Sequence, residues 1–66
     1  MLLGEKLKET RQNKGLSQST VAEYLNISRQ SISKWENNSS YPDLDNLVRL
    51  SEYYEISIDD LLKENQ

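Results

Sequence analysis

Cysteine and histidine are both missing from this 66-residue chain. Without thiols it has no disulfide and no thiolate metal site to reinforce a small fold, and without imidazole it lacks the most common general base. Glycine occurs twice and proline once, so breaks in the chain are few. No apolar run approaches the roughly 18 residues of a membrane span, and Met1-Leu2-Leu3 is too brief for the core of a signal peptide. The chain reads as a single cytoplasmic domain over residues 1–66, without a membrane segment. A chain of this size buries only about 60% of its unfolded surface, so its apolar side chains must hold it together unaided.

What is present points to helices. Strong helix formers are spread along the sequence and no strand-like alternation is sustained, which predicts an all-α, compact five-helix bundle. Leu3 and Leu7, with Thr10 and Arg11 continuing their face, predict a first helix over about 2–14, stopped by Gly15. Ser17 can cap a second helix over about 18–25, with Leu16 and Val21 spaced as a hydrophobic staple. Asn26-Ile27-Ser28 then forms a tight joint. Asn26 enters the left-handed region at little cost, Ser28 caps a third helix over about 29–37, and Ile27 and Ile32 repeat the staple. Asn37-Asn38-Ser39-Ser40 breaks the pattern. Pro42 keeps Tyr41 extended, and Asp43 can cap a fourth helix over about 44–54 carrying Leu44, Leu47, Val48, Leu50 and Tyr54. Ser57 and Asp60 have capping-box spacing, with an Ile56–Leu61 staple, for a short helix over about 58–63; residues 64–66 are expected to fray. The expected core is Leu7, Val21, Leu25, Ile32, Trp35, Leu47 and Leu50. Ala22 is small where helices 2 and 3 must approach closely.

The two helices around the Asn26–Ser28 joint organise the rest. If Ile32 and Trp35 face inward, then Arg29, Gln30, Ser33 and Lys34 point outward, with Asn37 one turn further on. These are the side-chain types that read DNA: Arg pairs with guanine O6 and N7, Gln with adenine N6 and N7, and Ser or Lys with either base edges or phosphate. Ser17 and Gln18 open helix 2, where free N–H groups and the helix dipole favour a phosphate. Taken alone, such a polar face is far more often a solvated exterior. Its coincidence with the joint, the staple and Ala22 is what raises the functional reading. Net charge is −3, but residues 1–40 carry +2 and residues 41–66 carry −5, so the first part can face phosphate while the second stays solvated.

Gln18, Ala22, Asn26-Ile27-Ser28, Ile32 and Trp35-Glu36-Asn37 resemble the helix-turn-helix of the phage-repressor and Cro family, also called the XRE family of bacterial regulators. The resemblance extends from Leu7-Lys8 through Gly15-Leu16-Ser17-Gln18 and Tyr41-Pro42-Asp43 to Ile56-Ser57-Ile58-Asp59-Asp60-Leu61-Leu62. It implies a transcriptional regulator of duplex DNA, mostly a repressor, acting as a homodimer on an inverted-repeat operator with helix 3 in the major groove. On that resemblance Arg29, Gln30, Ser33 and Lys34 contact bases, Gln18 makes a contact at the first turn of helix 2, and Asn37 binds phosphate. Arg11 and Glu36 form a structural ion pair, and Tyr53, Tyr54, Ile58 and Leu62 lie where the family often dimerises. An intramolecular core is the competing reading for Ile56 and for one of the two tyrosines. Two departures stand out: Asn26 replaces a common turn glycine, and Asn38-Ser39 stands where many relatives have Gly-Lys, removing a cation.

An enzyme is not expected, since Asp59-Asp60 is better explained by capping than as a carboxylate pair, and no cofactor or small-molecule ligand is called for. The competing class is a protein–protein interaction module, or an antitoxin-type partner, using the same fold.

Overall fold

The computed structural model describes residues 2–63, which form five α-helices: α1 Leu3–Asn13, α2 Gln18–Leu25, α3 Arg29–Glu36, α4 Leu44–Tyr54 and α5 Ile58–Leu62. α2 and α4 have the bounds that the sequence pattern gives. The other three are shorter by a residue or two, each for a local reason. Leu2 is extended (ψ 159°) and its N–H donates to Glu5 Oε1 at 3.0 Å, so α1 begins one residue later than expected. Lys14 is its C-cap, followed by Gly15 in the left-handed region at φ 70°. Asn37 closes α3, and Lys63 turns extended after α5. The fraying expected of residues 64–66 lies outside the described residues.

The caps follow the sequence chemistry with one exception. Ser17, Ser28 and Ser57 each accept through Oγ from the backbone N–H three residues on, at 3.0, 3.2 and 3.0 Å. Asp43 occupies the N-cap position of α4, but its carboxylate accepts from Asn46 Nδ2 at 2.7 Å instead of from the backbone. Asn26 ends α2 at φ 58°, ψ 47°, the left-handed geometry its short polar side chain tolerates.

α3 packs between α1 and α2, while α5 closes against α1 and α4. All seven expected core residues are buried, and Ala22, Tyr54 and Leu61 join them. Tyr54 is only 2% exposed, which removes it from the expected dimer contact: its ring fills the interior beside Leu7, Ile32, Trp35 and Leu50. Leu44 and Val48 stand on the outer side of α4, exposed at 71% and 37%. Ile56 and Ile58 are half-buried against the core. Arg49 ties α4 to the end of α2 by donating from Nη1 to Leu25 O at 3.1 Å and from Nη2 to Tyr24 O at 3.0 Å, beside a Tyr24–Tyr53 stack.

Burial makes Tyr54 a source of alkaline sensitivity. Desolvation pushes its phenol well above the ordinary value of 10.0, the Glu36 carboxylate adds to the rise, and Arg11 opposes it. Above about pH 10 the unfolded chain releases this proton while the folded chain keeps it. Stability intact below that pH is therefore expected to fall by about 1.4 kcal/mol per pH unit above it. Tyr54→Phe should flatten this loss in melts taken between about pH 9 and 11; an unchanged slope would contradict the assignment.

Candidate nucleic-acid interface

The divided character of α3 creates the site. Ile32, Trp35 and Glu36 are buried, Ser33 is half-buried, and Arg29, Gln30 and Lys34 are exposed, so one helix carries an anchored face and a polar ridge. Asn37, also exposed, follows at its C-cap. The sequence reading grouped Ser33 with the outward residues, and the structure places it at the margin of the ridge.

Beneath the ridge lies a buried ion pair. Arg11 Nε donates to Glu36 Oε2 at 2.6 Å and Nη2 donates to Oε1 at 3.0 Å, the two-pronged geometry a guanidinium makes with a carboxylate. Arg11 Nη1 donates to Leu16 O at 2.8 Å, so the same side chain also fixes the connection between α1 and α2. Arg11 is 8% exposed and Glu36 5%. Donating to the Glu36 carboxylate raises the Arg11 guanidinium's pKa further above its ordinary value, and burial only partly opposes it.

α2 meets the ridge through Gln18. Its Nε2 donates to Glu36 Oε1 at 3.0 Å and its Oε1 accepts from Arg29 Nη1 at 3.1 Å. Ser17 Oγ is occupied in capping and lies 2.9 Å from Thr20 Oγ1, so what this helix start can offer an anion is its first backbone N–H groups.

A contact that sequence reasoning missed joins the start of α1 to the turn just after α3. Gly4 N donates to Asn38 Oδ1 at 2.9 Å, so a side chain 34 positions away caps the start of α1. A Cβ on Gly4 would lie 2.6 Å from Asn38 Oδ1, 2.7 Å from Glu36 O and closer still to Trp35 O. Asn38 sits at φ 63°, the region a glycine would otherwise take, and its side chain supplies the cap that glycine could not. The signal was faint: a small residue at position 4 of an amphipathic helix carries no partner's address.

Of the remaining expected contact residues, Leu62 is 52% exposed, while Tyr53 is half-buried in its stack with Tyr24. Among the described residues no group of acidic side chains is arranged to hold a metal ion, and no helix is long and apolar enough to cross a membrane.

This fold and this divided helix are those of a helix-turn-helix protein, and the chain belongs to that family, whose sequence pattern it matches over residues 7–61. It is 42% identical over its whole length to the HTH-type transcriptional regulator ImmR of Bacillus subtilis, covering 52% of that protein. It is 42% identical over 94% of its length to the HTH-type transcriptional activator BcrR of Enterococcus faecalis, covering 30% of it. Among solved structures it resembles the P22 c2 repressor in complex with a synthetic operator, with a TM-score of 0.91, 31% identity and 98% of each chain covered. The chain thus spans between about a third and somewhat over half of the length of the first curated relatives it matches.

Proposed function

We propose that this chain is the sequence-specific duplex-DNA-binding domain of a transcriptional regulator, with α3 seated in the major groove. The observation that carries the reading is the division of α3: Arg29, Gln30 and Lys34 stand exposed on a helix whose opposite face is locked into the core. A ridge so anchored meets base edges without first having to order its own backbone. The likeness to a repressor bound to operator supports the reading, because that fold is compatible with duplex DNA over nearly the whole of this chain.

In this reading Arg29, Gln30, Ser33 and Lys34 contact bases. Ser17, Gln18 and Asn37 approach phosphates, Ser17 and Gln18 through the N–H groups at the start of α2. The whole of residues 1–66 acts as one domain, in the cytoplasm and without catalysis. Repression by covering a promoter is the proposed sense, and relatives named as phage repressors support it. Two copies on an inverted repeat would present their α3 helices about 34 Å apart, one turn of duplex. Leu62, Ile58 and Tyr53 are the side chains proposed to meet between them. Light scattering on the operator-bound species tests this: a mass corresponding to one chain per site would contradict it.

The reading of bases is tested by Arg29→Ala and Gln30→Ala. Each is expected to relax preference at particular base pairs by about 1–3 kcal/mol per lost contact, while leaving the melting temperature close to the parent's. Position-by-position preference measured on systematically altered duplexes checks it. Profiles identical to the parent's for both variants would overturn the assignment.

A further inference from the structure

We propose that the outer side of α4 is a docking surface for a basic amphipathic helix of another protein. Leu44 and Val48 lie one turn apart on α4, exposed at 71% and 37%, and Tyr41, just before the helix, is exposed at 72%. The other large apolar side chains left open among the described residues have other places in the fold. Tyr24 stacks on Tyr53, Leu62 belongs to the proposed contact between copies, and Leu2 is the N-cap of α1. Tyr41, Leu44 and Val48 have no such place. Apolar side chains gathered in water on one short stretch of chain mark a surface that gains by being covered.

Charge decides what covers it. Asp43, Asp45 and Glu52 flank the apolar pair along the chain, all three exposed, and among the described residues none is paired with a cation. Asp43 accepts instead from the neutral amide of Asn46. Arg49, the cation of α4, is turned aside: its Nη1 and Nη2 donate to Leu25 O and Tyr24 O at the end of α2. A second copy laid face to face would bring carboxylates against carboxylates, and duplex DNA would bring phosphates against them, so neither suits this surface. A helix with leucine-like side chains along one face and Lys or Arg beside them satisfies both features at once. Leu44, Val48 and Glu52 form a single row at i, i+4 spacing, the kind of ridge against which a second helix packs. Apolar contact falls on the first two positions of that row, and the partner's cations meet Glu52 and Asp45.

The probe is a helical peptide of leucine and lysine with its leucines along one face, titrated into the isotopically labelled protein at low salt and followed by NMR. Amide shifts are expected to gather on residues 41–52. Leu44→Gln with Val48→Gln is expected to weaken binding about tenfold or more, since burying an aliphatic side chain contributes at least that. Both positions are exposed, so the melting temperature of this variant should stay close to the parent's. Asp45→Asn with Glu52→Gln is expected to weaken binding about two- to fivefold, a difference that closes as salt rises. Equal binding by a peptide of the same composition with its leucines scrambled, or shifts centred on the exposed Asp59 and Asp60 of α5, would mean attraction by charge alone and overturn the proposal. A leucine–glutamate peptide binding as well as the basic one would overturn it too. So would shifts at residues 41–52 that grow with protein concentration when no peptide is present, which would make a second copy the occupant, or no binding of the basic peptide at all.

Discussion

Glu36→Ala is expected to remove about 3–5 kcal/mol of folding stability, the usual consequence of stranding one charge of a buried pair. Arg11 would lose two of its three hydrogen bonds while remaining 8% exposed, keeping only the bond to Leu16 O. Its charge does not relax away, because a guanidinium stays protonated at any accessible pH. Gln18 would lose its partner on the same side. A domain this small has about 5–15 kcal/mol at most to draw on, and one near the low end of that range would be left with about 0–2 kcal/mol. Urea titration followed by Trp35 fluorescence measures the loss. The double variant Arg11→Met with Glu36→Leu is the informative control: replacing both charges with apolar side chains should recover much of the stability, since the cost lies in the unpaired charge. A single variant as stable as the parent would show that the pair is not closed in solution.

Gly4→Ala is expected to destabilise the fold by about 1–3 kcal/mol, although alanine is the better helix former. The propensity gain, about 1 kcal/mol, favours the variant. Against it stand two backbone carbonyl oxygens, those of Trp35 and Glu36, both nearer than 3.0 Å to the new methyl, which cannot rotate away as a flexible side chain would. Forcing atoms into a filled space costs about 1–3 kcal/mol, and separating α1 from α3 forfeits the Gly4–Asn38 hydrogen bond, worth about 1 kcal/mol. The clash therefore decides the sign. Thermal melts of Gly4→Ala beside a substitution at exposed Lys8 on the same helix separate packing from propensity; a melting temperature raised by Gly4→Ala would contradict the close approach.

These two residues also mark the limits of what could be read without coordinates. The joint at Asn26–Ser28, the serine caps and the inward stripe of Leu7, Val21, Leu25, Ile32 and Trp35 are local or periodic, and such patterns are written in a single stretch of chain. The exposed ridge of α3 follows from them by subtraction. Contacts between distant positions carry no such signature. Gly4 against Asn38, Arg49 on the carbonyls of Tyr24 and Leu25, and Gln18 bridging Glu36 to Arg29 join residues 11 to 34 apart, and each depends on how the helices cross. Tyr54 shows the same limit from the other side. Tyr53 and Tyr54 are adjacent and alike in sequence, and only the packing of α4 sends one into the core and the other into a stack with Tyr24.

Everything proposed about function depends on α3 choosing among base pairs, and selecting bound duplexes from a random pool tests that most directly. The purified protein is expected to enrich one short sequence motif, arranged as an inverted repeat with half-sites about one helical turn apart, and to lose affinity steeply as salt rises. A pool that stays random after repeated rounds at low ionic strength would contradict it.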